Sequence, residues 1–120
     1  MATDKGKAAE RVARVFLEAQ GLQWVTSNYR CRCGEIDHVM VADDTLVFVE
    51  VKLRSNQRFG SGADSVTWNK QRKILNTAAR FRQEFTLFAA LPCRFDIVAL
   101  EHWLPERANP RWIQRAFCGT

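Results

Sequence analysis

The sequence predicts an α/β fold with a mixed central sheet flanked by helices, in the order α-β-β-β-α-β. Apolar residues recur at helical spacing in two segments, residues 5–20 and 65–84. Other runs are short, rich in apolar and β-branched residues, and bounded by turn residues, which is typical of strands. Because 120 residues, 47% of them hydrophobic, can fill one core, we expect a single domain over residues 1–120.

The predicted elements have recognisable ends. Gly21 supplies a stop for the first helix. Asp43-Asp44 predicts a turn, so that the second and third strands form a hairpin. Residues 54–64 are polar and contain glycine, which predicts a loop. The predicted strands cover residues 22–30, 35–42, 45–53 and 92–100, with a short closing strand over 112–117.

Charge and composition narrow the classes of function. The net charge of +5 and the pI near 9.4 favour a polyanionic partner. No run approaches about twenty apolar residues, and the first residues lack the apolar core of a signal peptide, so we expect a cytoplasmic protein without a membrane span. In a reducing cytoplasm the cysteines are expected to be free thiols; they are Cys31, Cys33, Cys93 and Cys118.

Two carboxylates and a lysine are predicted to share one face of the hairpin. Side chains alternate along a strand, so Glu50 and Lys52 lie on the same face. If Asp37 on the preceding strand lies beside Glu50, the acids repel each other unless a cation lies between them. Glu10, at the edge of the apolar face of the first helix, is able to approach them. Oxygen ligands favour Mg²⁺ or Mn²⁺, and a metal beside a lysine is the minimal equipment for phosphodiester hydrolysis.

A cross-strand salt bridge is the plain alternative. Lys52 would then pair with Asp37 or Glu50 and have no further role. The pattern D…E-x-K alone favours this interpretation. However, the third strand is otherwise strongly apolar, and charges in the middle of such a strand are costly unless they are paired or functional.

The same residues carry a wider resemblance. Gly34-Glu35-Ile36-Asp37 and the segment from Leu46 to Lys52 resemble the YraN-like family of predicted endonucleases (UPF0102 type). This family belongs to the PD-(D/E)xK nuclease superfamily and is related to archaeal Holliday junction resolvases. The resemblance extends from about Gly6 to Phe117 and includes Asn28-Tyr29-Arg30. It implies a restriction-endonuclease-like fold.

The resemblance also implies roles for individual residues. Asp37, Glu50, Glu10 and the Val51 carbonyl would hold the metal, and Lys52 would orient the attacking water. Gln71 would be a catalytic contributor from the second helix. Glu35 remains open between a supporting role beside the metal and an ordinary charge at the start of a strand.

The implied substrate is DNA, with branched or structured DNA as the favoured target. Several basic residues are candidates for phosphate contact: Arg54, Arg58, Lys70, Lys73 and Arg80. A solvated helix face is the alternative for the last three of these. A non-catalytic DNA-binding module on a nuclease fold is the alternative function. Related resolvases act as dimers, so a homodimer is expected.

Overall fold

A computed structural model describes residues 4–54, 66–101 and 110–117. It contains a five-stranded sheet and two long helices, which confirms the predicted mixed α/β fold and is consistent with a restriction-endonuclease-like architecture. The elements are α1 (Asp4–Ala19), β1 (Gln23–Cys31), β2 (Gly34–Ala42), β3 (Thr45–Arg54), α2 (Trp68–Glu84), a 3₁₀ turn (Thr86–Phe88), β4 (Cys93–Glu101) and β5 (Pro110–Phe117).

The strands lie in the order β1-β2-β3-β4-β5. Three neighbouring pairs are antiparallel, whereas β3 and β4 are parallel. A parallel pair requires a crossover connection, and α2 lies in the connection between β3 and β4. The sheet is therefore mixed, as predicted.

The two helices cover opposite faces of the sheet. Leu17 of α1 packs in a cluster with Val47 and Val49, whereas Phe81 of α2 packs in a separate cluster with Phe48. Because alternate residues of a strand point to opposite faces, these two clusters lie on the two sides of β3. The carboxylates of β2 and β3 are thus fixed in a sheet that is packed on both sides.

Local capping explains where the helices begin and end. The N–H groups of Gly21 and Leu22 donate to the carbonyls of Glu18 and Leu17, which is the Schellman pattern, and Gly21 has a φ of 98°. The predicted stop of α1 is therefore confirmed. The prediction that α2 begins at residue 65 is wrong, because the Thr67 side chain caps the helix and the first helical residue is Trp68.

Two further boundaries differ from the prediction. Arg54 is the last residue of β3 and does not belong to a loop, and β5 begins at Pro110. The rest of the predicted loop, apart from this first residue, lies outside the described residues. Among the described residues, neither helix is long and apolar enough to cross a membrane.

Candidate active site

Two carboxylates meet where β2 and β3 cease to pair. The last pair of their antiparallel ladder joins His38 to Val49. Continuing that register by one residue places Asp37 opposite Glu50. The Val51 backbone N–H donates to Asp37 Oδ2 at 2.7 Å. The hairpin therefore brings Asp37 and Glu50 together at a fork between the two strands.

The Val51 backbone is directed toward this fork. In a strand, the N–H and C=O groups of one residue point toward the same neighbour. Because the Val51 N–H meets Asp37, its carbonyl opens on the same side of β3. This orientation is compatible with the ligand role implied by the family resemblance, which stays a prediction.

Glu50 lies between two lysines. It is only 7% exposed. Lys70 Nζ is 2.7 Å from Glu50 Oε1, and Lys52 Nζ is 3.8 Å from the same oxygen. The ion pairs with Lys70 and Lys52 therefore explain how the charge of the buried Glu50 is compensated. Asp37, by contrast, forms no ion pair within the described part of the chain.

The charges at the fork are unevenly compensated. Asp37 is partly exposed to solvent, but protein surrounds most of its carboxylate. This burial, together with repulsion from Glu50, raises the pKa of Asp37 to about 8. Burial and the neighbouring Lys70 ammonium lower the pKa of Lys52 to about 8. Burial opposes the charge of Lys70, but the ion pair with Glu50 outweighs it and raises the pKa of Lys70.

Asn28 joins two further carboxylates beside the fork. Its Nδ2 donates to Glu10 Oε1 at 3.0 Å and to Glu35 Oε1 at 3.1 Å. Asn28 has a φ of 53°, a conformation that asparagine tolerates better than most residues. The other oxygen of Glu35 is 3.3 Å from Arg30 Nε. Burial is the main cause of the raised pKa of Asp37, and the charges of Glu10 and Glu35 add to it.

His38 holds α1 against the sheet. Its Nε2 lies 2.8 Å from the Glu10 carbonyl oxygen, and a carbonyl only accepts, so Nε2 carries the proton. The Ser27 hydroxyl then donates to Nδ1 at 2.7 Å. Burial lowers the pKa of His38, which favours this neutral form. His38 is thus a packing histidine, and it positions the backbone of Glu10.

An open cleft of about 220 Å³ lies beside the carboxylates, between the β1–β2 hairpin and α2. Gly34 allows these elements to approach closely. Its φ is 151°, and a Cβ atom there would lie 3.3 Å from Thr77 Oγ1. The described residues that line the cleft are Gly34, Glu35, Asp37, Glu50, Lys70, Lys73 and Ile74.

The basic residues of α2 are divided between two places. Lys70 and Lys73 line the cleft, whereas Arg80 lines a second cleft further along the helix. Thr77 lies between them at helical spacing but is completely buried, with its hydroxyl donating to the Lys73 carbonyl at 2.7 Å. The row of basic residues is therefore interrupted where α2 packs on the hairpin.

Gln71 has a local partner. Its Nε2 donates to the Val66 carbonyl at 3.0 Å, which ties α2 to the residue before its N-cap. Gln71 is not among the described residues that line the cleft, and its catalytic role stays a prediction. The side chain of Arg54 and the whole of Arg58 lie outside the described part of the chain.

Sequence reasoning missed the contacts of Lys70 and Asn28 with the carboxylates. It left Lys70 open between phosphate contact and a solvated helix face. One signal was available for Lys70: the first turn of a helix disfavours a cation, and a lysine there needs a compensating anion. The polar Asn28 near the predicted end of a strand was a weaker signal.

The fold and this cleft define a class of protein, an α/β domain with a mixed sheet of the restriction-endonuclease-like kind and clustered carboxylates and lysines. Residues 9–100 match the model of the family described as "Uncharacterised protein family UPF0102". The chain belongs to this family, which confirms the resemblance found in the sequence.

Individual relatives cover nearly the whole chain. A UPF0102 protein of Cupriavidus necator is 52% identical over 114 residues, which are 94% of this chain and 82% of the relative. A UPF0102 protein of Aeromonas hydrophila is 48% identical over 117 residues, which are 97% and 86% of the two chains. One from Pseudomonas savastanoi is 42% identical over 112 residues, which are 93% and 91%.

Proposed function

We propose that this protein is a Mg²⁺- or Mn²⁺-dependent DNA endonuclease that hydrolyses phosphodiester bonds in branched or otherwise structured DNA. The observation that carries the proposal is the state of Asp37. It lies beside Glu50 and near two more carboxylates, and it lacks an ion pair among the described residues. A structural salt bridge explains Glu50 and leaves Asp37 unexplained.

The donor set fits a hard divalent cation. Asp37 and Glu50 would hold the ion with the Val51 carbonyl, and Glu10, whose Oε1 accepts from Asn28, is the further ligand that the family resemblance implies. No three His, Cys, Asp or Glu side chains in the described segments converge as a complete metal-binding group. Mg²⁺ commonly uses only one or two carboxylates and retains several waters, so two close acids are sufficient. A cation there would offset the burial and the repulsion from Glu50 that together raise the pKa of Asp37.

The metal would supply an activated water and neutralise charge on the phosphate. The lysines supply the other charges. Lys52 would orient the attacking water, and its lowered pKa makes deprotonation near neutral pH feasible. Lys70, bound to Glu50, lies where it can contact a phosphate oxygen. Water oxygen would add to phosphorus, and the departing DNA oxygen would take up a proton.

A nuclease assay tests the proposal directly. Junction, single-stranded and duplex DNA would be incubated with Mg²⁺ or Mn²⁺ and the wild type, Asp37→Asn or Lys52→Met. Both variants should lose at least about a hundred-fold in cleavage rate, because Asp37→Asn removes a direct metal ligand and Lys52→Met removes the group that would orient the attacking water. Asp44→Asn is the matched control, because Asp44 is exposed at the far end of the same hairpin.

Calorimetric titration with Mn²⁺ separates the nuclease from the non-catalytic DNA-binding alternative. Mn²⁺ affinity that depends on Asp37 and Glu50 supports the nuclease. DNA binding without such affinity supports the binding module. Metal-dependent cleavage at the wild-type rate in both Asp37→Asn and Lys52→Met would contradict the assignment of the active site. A homodimer remains part of the proposal, and sedimentation equilibrium showing only monomer at high concentration would contradict it.

A further inference from the structure

A second, larger cleft of about 410 Å³ lies between the tip of the β1–β2 hairpin and the C-terminal half of α2. Its described lining includes Arg30, Arg32 and Arg80 against one carboxylate, Glu84. Arg32 and Arg80 are exposed. A guanidinium group presents a planar fork of donors that matches two phosphate oxygens. The chemistry of this arginine cleft therefore favours an anion with several phosphates.

The arginine cleft and the candidate active site lie along the same two elements. The hairpin contributes Glu35 to the first cleft and Arg30 to the second, and these two side chains form an ion pair. On α2, Lys70 lies in the first cleft and Arg80 in the second. Ten helical residues span about 15 Å. Successive phosphates of one strand advance about 3.4 Å along the axis of a duplex, so a duplex lying parallel to α2 would advance by roughly four nucleotides between the two clefts.

We infer that the strand bound at the carboxylates continues along α2 into the arginine cleft, where Arg32 and Arg80 bind phosphates that flank the scissile bond. This inference rests on the proposed function, because the bound strand is the DNA substrate. It defines the direction in which the substrate extends across the protein surface.

The arginine cleft contains cysteine thiols whose alkylation can report whether DNA covers the cleft. Cys31 and Cys33 are free thiols in its lining, and Cys33 is exposed. Cys31 Sγ accepts from the Cys33 N–H at 3.3 Å. Burial opposes ionisation of Cys31, but this and other hydrogen bonds lower its pKa, which favours alkylation. Cys93, also a free thiol, lies near Arg82 and is not among the described residues of the cleft.

Fluorescence anisotropy measures the affinity of the protein for a fluorescein-labelled DNA four-way junction and tests the contribution of the arginines. The titration is done in Ca²⁺ buffer, and gels verify that the DNA stays intact. Arg32→Glu and Arg80→Glu should each weaken binding about tenfold or more, and should reduce the slope of log affinity against log salt by about one. Arg111→Glu is the matched control, because Arg111 is exposed on β5 at the opposite edge of the sheet. If all three variants weaken binding equally, or none does, the inference is wrong.

Alkylation mapped by mass spectrometry gives a second, variant-free readout. Bound junction should slow iodoacetamide labelling of Cys31 severalfold relative to Cys93. Equal protection of both thiols, or of neither, overturns the inference. Its failure is distinguishable from failure of the proposed function: Mn²⁺ affinity and cleavage that depend on Asp37 would then remain intact. A wild type without DNA affinity overturns the inference, and the Mn²⁺ titration still decides whether a metal site exists.

Discussion

Asp37 on β2 and Asp96 on β4 belong to the same sheet but have opposite surroundings. Asp96 is completely buried and saturated with donors. Arg94 Nε lies 3.2 Å from both of its oxygens, Trp112 Nε1 donates to it at 3.0 Å, and the Arg115 N–H donates at 3.0 Å. This carboxylate joins β4 to β5.

Asp37 has far less compensation. Among the described residues, its hydrogen-bond donor is the Val51 N–H, and Glu50, Glu10 and Glu35 add negative charge around it. A carboxylate that serves only the fold is normally satisfied by its neighbours. Burial by itself therefore does not show whether an acid serves the fold or a functional site. The number and sign of its partners separate a structural acid from a candidate cation ligand.

The largest effect is expected from Asp96→Asn. The substitution replaces one acceptor oxygen with a donor NH₂ group, which then meets donors from Arg94, Trp112 or Arg115. It also leaves the Arg94 guanidinium, 12% exposed, without its counter-ion. The free energy of unfolding should fall by about 3–5 kcal/mol, as for other broken buried ion pairs. Urea denaturation measures it, and a loss below about 1 kcal/mol would contradict the structural role.

The same substitution at the other aspartate should stabilise the protein. The pKa of Asp37 is raised from 3.8 to about 8 in the folded state. The folded protein therefore binds more protons than the unfolded chain between about pH 4 and pH 8, and the stability of the wild type falls as pH rises through that window. Asp37→Asn removes this penalty and should be more stable at pH 8 by about 2–4 kcal/mol.

Urea denaturation in a chelator, repeated from pH 4 to pH 8, checks this sign. The two proteins should have similar stability at the acidic end, and Mg²⁺ should reduce the difference at pH 8 by stabilising the wild type alone. A variant that is less stable than the wild type at pH 8 would place Asp37 in the same class as Asp96.

Gly34→Ala should disturb the cleft around Asp37 and leave the contacts of Asp96 unchanged. The added Cβ would lie 3.3 Å from Thr77 Oγ1 and 3.4 Å from Lys73 Cβ, at a φ that disfavours side chains. The free energy of unfolding should fall by about 1–3 kcal/mol, and Mn²⁺ affinity should weaken as the hairpin shifts. Gly21→Ala is the control: it also has a positive φ, but nothing lies within 4 Å of its Cβ position. Weakened Mn²⁺ affinity in both variants would contradict this account.

Lys70→Met should have the smallest effect. Lys70 places a positive charge 2.7 Å from a carboxylate that is proposed to bind the metal. Its removal should strengthen Mn²⁺ binding up to about tenfold, or roughly 1.4 kcal/mol, because one competing cation is lost. Lys73→Met, on the same wall of the cleft but without an ion pair to Glu50 among the described residues, should change affinity less. Calorimetry in which Lys70→Met binds Mn²⁺ more weakly than wild type would refute the competition.

Local signals predicted the parts of the fold that depend on neighbouring residues. The end of α1 followed from Gly21, and the β2–β3 hairpin followed from the alternation around Asp43-Asp44. The start of α2 was placed three residues early, because periodicity locates a helix better than its cap and Thr67 supplies the cap. Phe85 continues the helical spacing of the buried Phe81, but it is the C-cap of α2 and is 41% exposed.

The sequence by itself determined the pair of strands that carries Asp37, Glu50 and Lys52, because alternation along a strand decides which side chains share a face. Only the tertiary structure decided how these charges are compensated. Lys70 reaches Glu50 because α2 packs on the hairpin, and Asn28 joins Glu10 to Glu35 because α1 packs beside β1. Such contacts depend on how distant elements pack against each other, which local periodicity does not specify.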